Sequence, residues 1–177
     1  MENQKGFTII ELMISIFVLT IAIIGAYNAF TIMDLLTSNS MDRFTAAYLA
    51  QEGVEIIRNI RDTNWLEGVS WTDGLDDCAS GCEVDYKTFG DEFTPLSPYV
   101  ETLLLVDETG FYNYESGEET KFKRKVTITP LQTAGEENDI LKVEVEVFWS
   151  GTKSMIYYLN SEAEESIKAE EYLYNWH

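Results

Sequence analysis

From Leu12 to Met33 the chain reads LMISIFVLTIAIIGAYNAFTIM, without one charged residue. About 22 helical residues rise about 33 Å, enough to cross a hydrocarbon core. Asp34 closes the run, and the pattern turns from uniform to periodic. Ala46, Leu49, Ala50, Gly53, Ile56, Ile57 and Ile60 recur at steps of three and four, which gathers them on one helical face. Glu52, Glu55 and Asn59 fall on the opposite side, and the apolar stripe predicts packing against a globular unit. Met41, Phe44 and Tyr48 form a second, smaller stripe that suits either core packing or a neighbouring subunit. No proline interrupts Phe7 to Arg61, so a single helix about 80 Å long is predicted. Its weak place is Gly25 to Asn28, because glycine costs about 1 kcal/mol relative to alanine and asparagine is a poor helix former.

Past Asn64 the helical period is lost. Trp65 to Tyr99 is rich in Asp, Gly, Ser and Thr and holds Pro95 and Pro98, the composition of a long loop. Strand-like runs follow at 99–106, 110–115, 121–129, 140–150 and 153–160, rich in β-branched and aromatic residues. Alternation is strict in Lys142-Val143-Glu144-Val145-Glu146-Val147, one face polar and one apolar. Glu115-Ser116-Gly117-Glu118 and Trp149-Ser150-Gly151-Thr152 are hairpin-turn candidates. The segment 161–171, SEAEESIKAEE, is made of helix formers after a serine and predicts a short terminal helix, with the aromatic end Tyr172–Trp176 docked on the domain. The fold expected is α+β: a long N-terminal helix with an antiparallel sheet of about four strands on its outer half.

The residues just before the apolar run are Lys5-Gly6-Phe7-Thr8-Ile9-Ile10-Glu11. An ionised carboxylate costs about 2.5–3.5 kcal/mol inside a bilayer, so an acid at the front of a spanning helix usually has a task. A secretory signal peptide is cut after its apolar segment. Here the small-residue cut candidate, Gly6-Phe7, precedes it, and the apolar segment would survive processing. Thr8-x-x-Glu11 also fits a capping box, in which Thr8 caps the helix and Glu11 bonds back. The leader MENQKG, Phe7, Glu11 and the apolar stretch, all in register, resemble the prepilin signal of type IV pilins and type II secretion pseudopilins. The stretch 46–59 looks like the corresponding helix of minor pilins and pseudopilins. That resemblance implies a pilin-like fold, cleavage by prepilin peptidase between Gly6 and Phe7, and N-methylation of Phe7. It further implies that Glu11 pairs with the N-terminal amine of a neighbouring subunit. The helix lacks the proline that many pilins carry, so any local melting in a filament would fall at Gly25 to Asn28.

Composition adds limits. With 31 acids against 12 bases the net charge is −19, which argues against nonspecific nucleic-acid binding by the bulk surface. From Asp62 to Glu119 Lys87 is the lone base, and the simplest reading is a solvated acidic surface. Lys121, Lys123, Arg124 and Lys125 form a basic cluster interleaved with Phe122. It would either contact a polyanion or guard a sheet edge against mispairing. Cys78 and Cys82 are the only cysteines, and a disulfide closing their loop is a candidate. Asp73, Asp76, Asp77 and Asp85, with Glu83, surround that loop and are calcium candidates, though without EF-hand spacing. No cofactor is otherwise expected. The single histidine, His177, leaves no nucleophile–base pair, and no phosphate-binding glycine loop is present, so no enzyme is expected.

The expected organisation is a leader at 1–6, a membrane-spanning half-helix at 7–33, an amphipathic half at 34–61 and an extracytoplasmic domain at 62–177. Lys5 before the span and Asp34 after it place the N-terminus in the cytoplasm. The function expected is a structural subunit of a type IV pilus or pseudopilus, anchored in the inner membrane and then incorporated into an extracellular or periplasmic filament. Its partners would be prepilin peptidase, other pilin or pseudopilin subunits, the inner-membrane assembly machinery and the bilayer before assembly. Two alternatives stand beside it: a minor subunit whose outer domain binds DNA or a surface ligand, and a membrane-anchored domain that never polymerises.

Overall fold

The computed structural model describes residues 6–88, 96–133, 136–151 and 164–175. The chain divides into two compact units, 1–40 and 41–177. The long helix α1 spans Ile9–Glu67 and contributes to both. In the first unit every residue from Gly6 to Asp34 is exposed, including each large apolar side chain. By length and composition this is a helix able to cross a membrane. Three of its hydroxyls bond back within the helix: Ser15 donates to the Glu11 carbonyl at 2.8 Å, Thr20 to the Ile16 carbonyl at 2.7 Å and Thr31 to the Tyr27 carbonyl at 3.1 Å. Such back-bonding leaves few polar groups demanding water. The helix runs through Gly25 and Asn28 without a break.

In the second unit, α1 lays its apolar stripe on a seven-stranded sheet. The strands are β1 (Cys82–Glu83), β2 (Ser97–Pro98), β3 (Leu103–Val106), β4 (Tyr112–Asn113), β5 (Glu118–Thr133), β6 (Glu136–Ser150) and β7 (Glu164–Tyr174). The scaffold is the antiparallel set β5–β6–β7, with Val126 opposite Val145 and Val145 opposite Ala169. On its other side β5 is flanked by β1 at Val126 and by β3 over Glu118–Lys123. Pro130 sits where β5 has β6 beside it and neither β1 nor β3, the one-sided position in which a sheet tolerates proline. Period-two alternation turns Phe122, Val126 and Ile128 of β5 and Leu141, Val143, Val145, Val147 and Trp149 of β6 inward. They meet Ala46, Leu49, Ala50, Ile57 and Ile60 of the helix in one core. Gly53 makes the close approach: a Cβ there would lie 2.8 Å from Val145 Cγ1.

Several expectations need correction. The sheet has seven strands, not about four, because two-residue strands lie in stretches read as loop and because the C-terminal segment is β7. Glu164–Tyr174 is extended, not helical: Ile167, Ala169, Glu171 and Leu173 face inward by alternation, and pairing with β6 outweighs the helix propensity of Glu, Lys and Ala. The strand expected at 99–106 is shortened to Leu103–Val106, after Glu101 turns the backbone with φ of 64°. At 110–115 only Tyr112–Asn113 is strand. The turn 115–118 does not make a hairpin, since β4 pairs with β3 and the chain crosses to β5. Gly117 permits that crossing: its φ is 138° and a Cβ would meet the Val106 carbonyl oxygen at 2.3 Å. The helix continues past Arg61 to Glu67, and Asn64 then ties the following turn by donating to the Trp71 and Asp73 carbonyls. The strand expected at 153–160, the second half of the turn at 149–152, and Trp176 and His177 lie outside the described residues.

Candidate processing and assembly site

The first turn of α1 presents the signal residues. Gly6 and Phe7 precede the helix in exposed chain without regular secondary structure, Phe7 being 85 % accessible. Thr8 is the cap: its hydroxyl accepts the Glu11 backbone N–H at 3.4 Å, and its carbonyl accepts Leu12 N–H at 3.2 Å. Thr8 thus fixes where the helix begins and leaves the Gly6–Phe7 peptide bond outside hydrogen-bonded structure. Glu11 stands in the first turn, where the helix dipole favours an anion. Its carboxylate is exposed and has no ion-pair partner among the described residues. An acid at the front of an apolar helix is therefore open to a cation from outside the chain.

The outer unit arranges the remaining candidates differently from their spacing in sequence. Cys78 and Cys82 are joined by a disulfide, with Cα atoms 5.3 Å apart. Lys121, Lys123, Arg124 and Lys125 do not form one surface row. Arg124 has no exposed surface and turns into the core, donating to the Leu49 and Val84 carbonyls and pairing with Glu52 at 3.1 Å. Lys121 pairs with Asp42 at 2.6 Å, Lys123 with Glu101 at 3.2 Å and with Glu164 at 3.5 Å. Lys125 lies 5.5 Å from the Tyr99 ring centroid. The cluster does not guard an edge either, because Lys123 stands between β3 and β6. Phe122 and Arg124 share the inward parity, and that alternation was the signal that separates Arg124 from the lysines.

The acidic candidates are likewise separated. Asp85 closes the 3-10 turn Tyr86–Thr88, accepting Lys87 and Thr88 N–H at 3.0 Å each with one oxygen and Tyr114 N–H at 3.1 Å with the other. Glu83 accepts the Val100 and Thr102 amides. Asp73, Asp76 and Asp77 are exposed. Among the described residues no three acidic, His or Cys side chains converge on a position for a metal. One acid escaped the sequence reading. Asp107 accepts the Thr109 hydroxyl at 2.6 Å, the Phe111 and Thr109 amides, and the Tyr86 hydroxyl at 3.0 Å. The Thr109 hydroxyl first, and then the other donors, hold its pKa down to about 2. Asp107-x-Thr109-Gly110 was a legible turn signal.

A membrane-length helix that opens on an unpaired acid, with a small-residue cut candidate before it, joins an α+β unit in this chain; that is the pattern of a membrane-anchored, pilin-like protein. The comparison with known families agrees: residues 1–27 match the prokaryotic N-terminal methylation motif, the type IV pilin and pseudopilin signal. The motif points to a structural subunit and to a place at the inner membrane. No curated protein and no solved structure matches the chain.

Proposed function

We propose that this protein is a filament subunit of a type IV pilus or pseudopilus. Prepilin peptidase cleaves between Gly6 and Phe7, and the new Phe7 amine is methylated. The mature chain waits in the inner membrane, with the N-terminus on the cytoplasmic side and residues after Met33 outside. On assembly, Glu11 pairs with the Phe7 amine of a neighbouring copy. The observation that carries this reading is the exposed, unpartnered Glu11 directly before the uncharged stretch 12–33 of α1, within the matched motif. In lipid such a carboxylate persists only if a cation neutralises it and hydrogen bonds satisfy it. A second subunit's freed amine meets both needs.

The test is Glu11→Gln in the full chain. Glutamine still serves a helix cap but carries no charge. We expect the variant to insert in the membrane and be cleaved, and filament yield to fall by about tenfold or more, the scale of losing a paired charge in a low-dielectric site. Normal filament yield from Glu11→Gln would refute the pairing role.

A further inference from the structure

We propose that a cleft in the outer unit receives Arg43 from a second copy of this chain. The inference rests on the filament reading and names one of its lateral contacts. The cleft encloses about 620 Å³ between α1 and the β3–β4 connection. Tyr48, Glu52 and Glu55 form the helical wall, and Tyr86, Phe111 and Tyr112 form the opposite one. Tyr86 and Phe111 lie with ring centroids 5.3 Å apart, and Tyr48 and Phe111 remain 70 % and 56 % accessible. Glu52 holds Arg124 through Oε2, and Glu55 holds Arg58 through Oε1. Their other oxygens have no partner among the described residues. Aromatic faces beside carboxylate oxygens suit a cation, and a planar guanidinium best, because it stacks and donates at once.

The chain itself carries the matching group. In so acidic a protein nearly every described base is engaged: Arg58, Arg61, Lys87, Lys121, Lys123, Arg124, Lys142 and Lys168 are ion-paired, and Lys125 meets the Tyr99 ring. Arg43 is exposed and, among the described residues, has neither a carboxylate nor a ring. It lies about nine residues before Glu52, which at about 100° per residue puts it on the opposite side of the helix from the cleft. Its own cleft is therefore out of reach. A neighbouring copy's cleft is not, and a contact between unlike patches repeats head to tail, which builds a helical array where the rotation does not close into a ring. The same spacing predicts neighbours staggered by about 14 Å along the helix axis.

The test is photo-crosslinking in assembled full-length protein, with p-benzoylphenylalanine in place of Phe111. We expect a homodimer band whose joined peptide contains Arg43, about tenfold weaker in Arg43→Gln. Combining Arg43→Glu with Glu55→Arg should restore the band. Filaments with normal processing but crosslinks that avoid the Arg43 peptide would overturn this contact and leave the filament reading standing. Crosslinking to a different protein, or an undiminished band in Arg43→Gln, would overturn it as well. Absence of any self-association would overturn both.

Discussion

Arg124 shows how much one side chain organises in the outer unit. Its guanidinium joins a helical carbonyl, a loop carbonyl and Glu52, and it is wholly buried. Replacing it with alanine leaves those acceptors and the Glu52 charge without their partner. The expected loss is about 3–5 kcal/mol, read as a lower denaturation midpoint of the full chain in detergent. Arg124→Lys should recover only part of it, since an ammonium lacks the planar fork that spans separate acceptors. Asp107 gives a pH prediction. Its folded pKa of about 2 lies below the ordinary 3.8. A depressed carboxylate contributes stability that is fully present above the unfolded value and is lost as pH falls through the folded one. The 107–111 turn and its tie to Tyr86 should thus persist at pH 4 and loosen as pH approaches about 2. A carboxyl NMR titration of Asp107 with a midpoint near the ordinary 3.8 would contradict this. Neither residue stood out beforehand. Arg124 sat in a run of lysines, and charge outweighed parity in reading it, because a fully buried arginine is rare.

Among the elements, α1 and the β5–β6 pair meet at Gly53. Gly53→Ala should gain about 1 kcal/mol of helix propensity. It should lose about 1–3 kcal/mol to overpacking, since the new methyl meets Val145 at 2.8 Å. The expected net is a destabilised outer unit, measured by thermal unfolding; a raised midpoint would mean the sheet yields freely. The helix and its stripe were legible because seven apolar positions repeat a single period over more than three turns. The alternation in 142–147 likewise marked β6. The segment 164–174 was not legible as a strand. Its alternation of Ile167, Ala169, Glu171 and Leu173 is diluted by glutamate and lysine, and what decides it is the neighbouring strand: Glu144 bonds Lys168 across the pair, and Arg58 of the helix reaches Glu171. The short strands β1, β2 and β4 carry too few residues for any period, and tertiary pairing alone defines them.

For the whole molecule, the two units ask for different solvents. Residues 9–33 expose apolar side chains throughout, while the rest carries a large excess of carboxylates. In the proposed filament reading, lipid would accommodate the first before assembly, and other copies of the same helix afterwards. The signal at Gly6, Phe7 and Glu11 was readable because its parts are contiguous and must stand in register with the apolar run. The aromatic cleft was not, because Tyr48, Tyr86 and Phe111 come from three distant stretches and only folding brings them together. In the proposed account, processing links these scales, since it would create the amine offered to Glu11. The decisive measurement is the intact mass and N-terminal sequence of the protein extracted from assembled filaments. A chain that begins at Phe7 with a methylated amine is the expected result; a chain that still begins at Met1 would contradict the account.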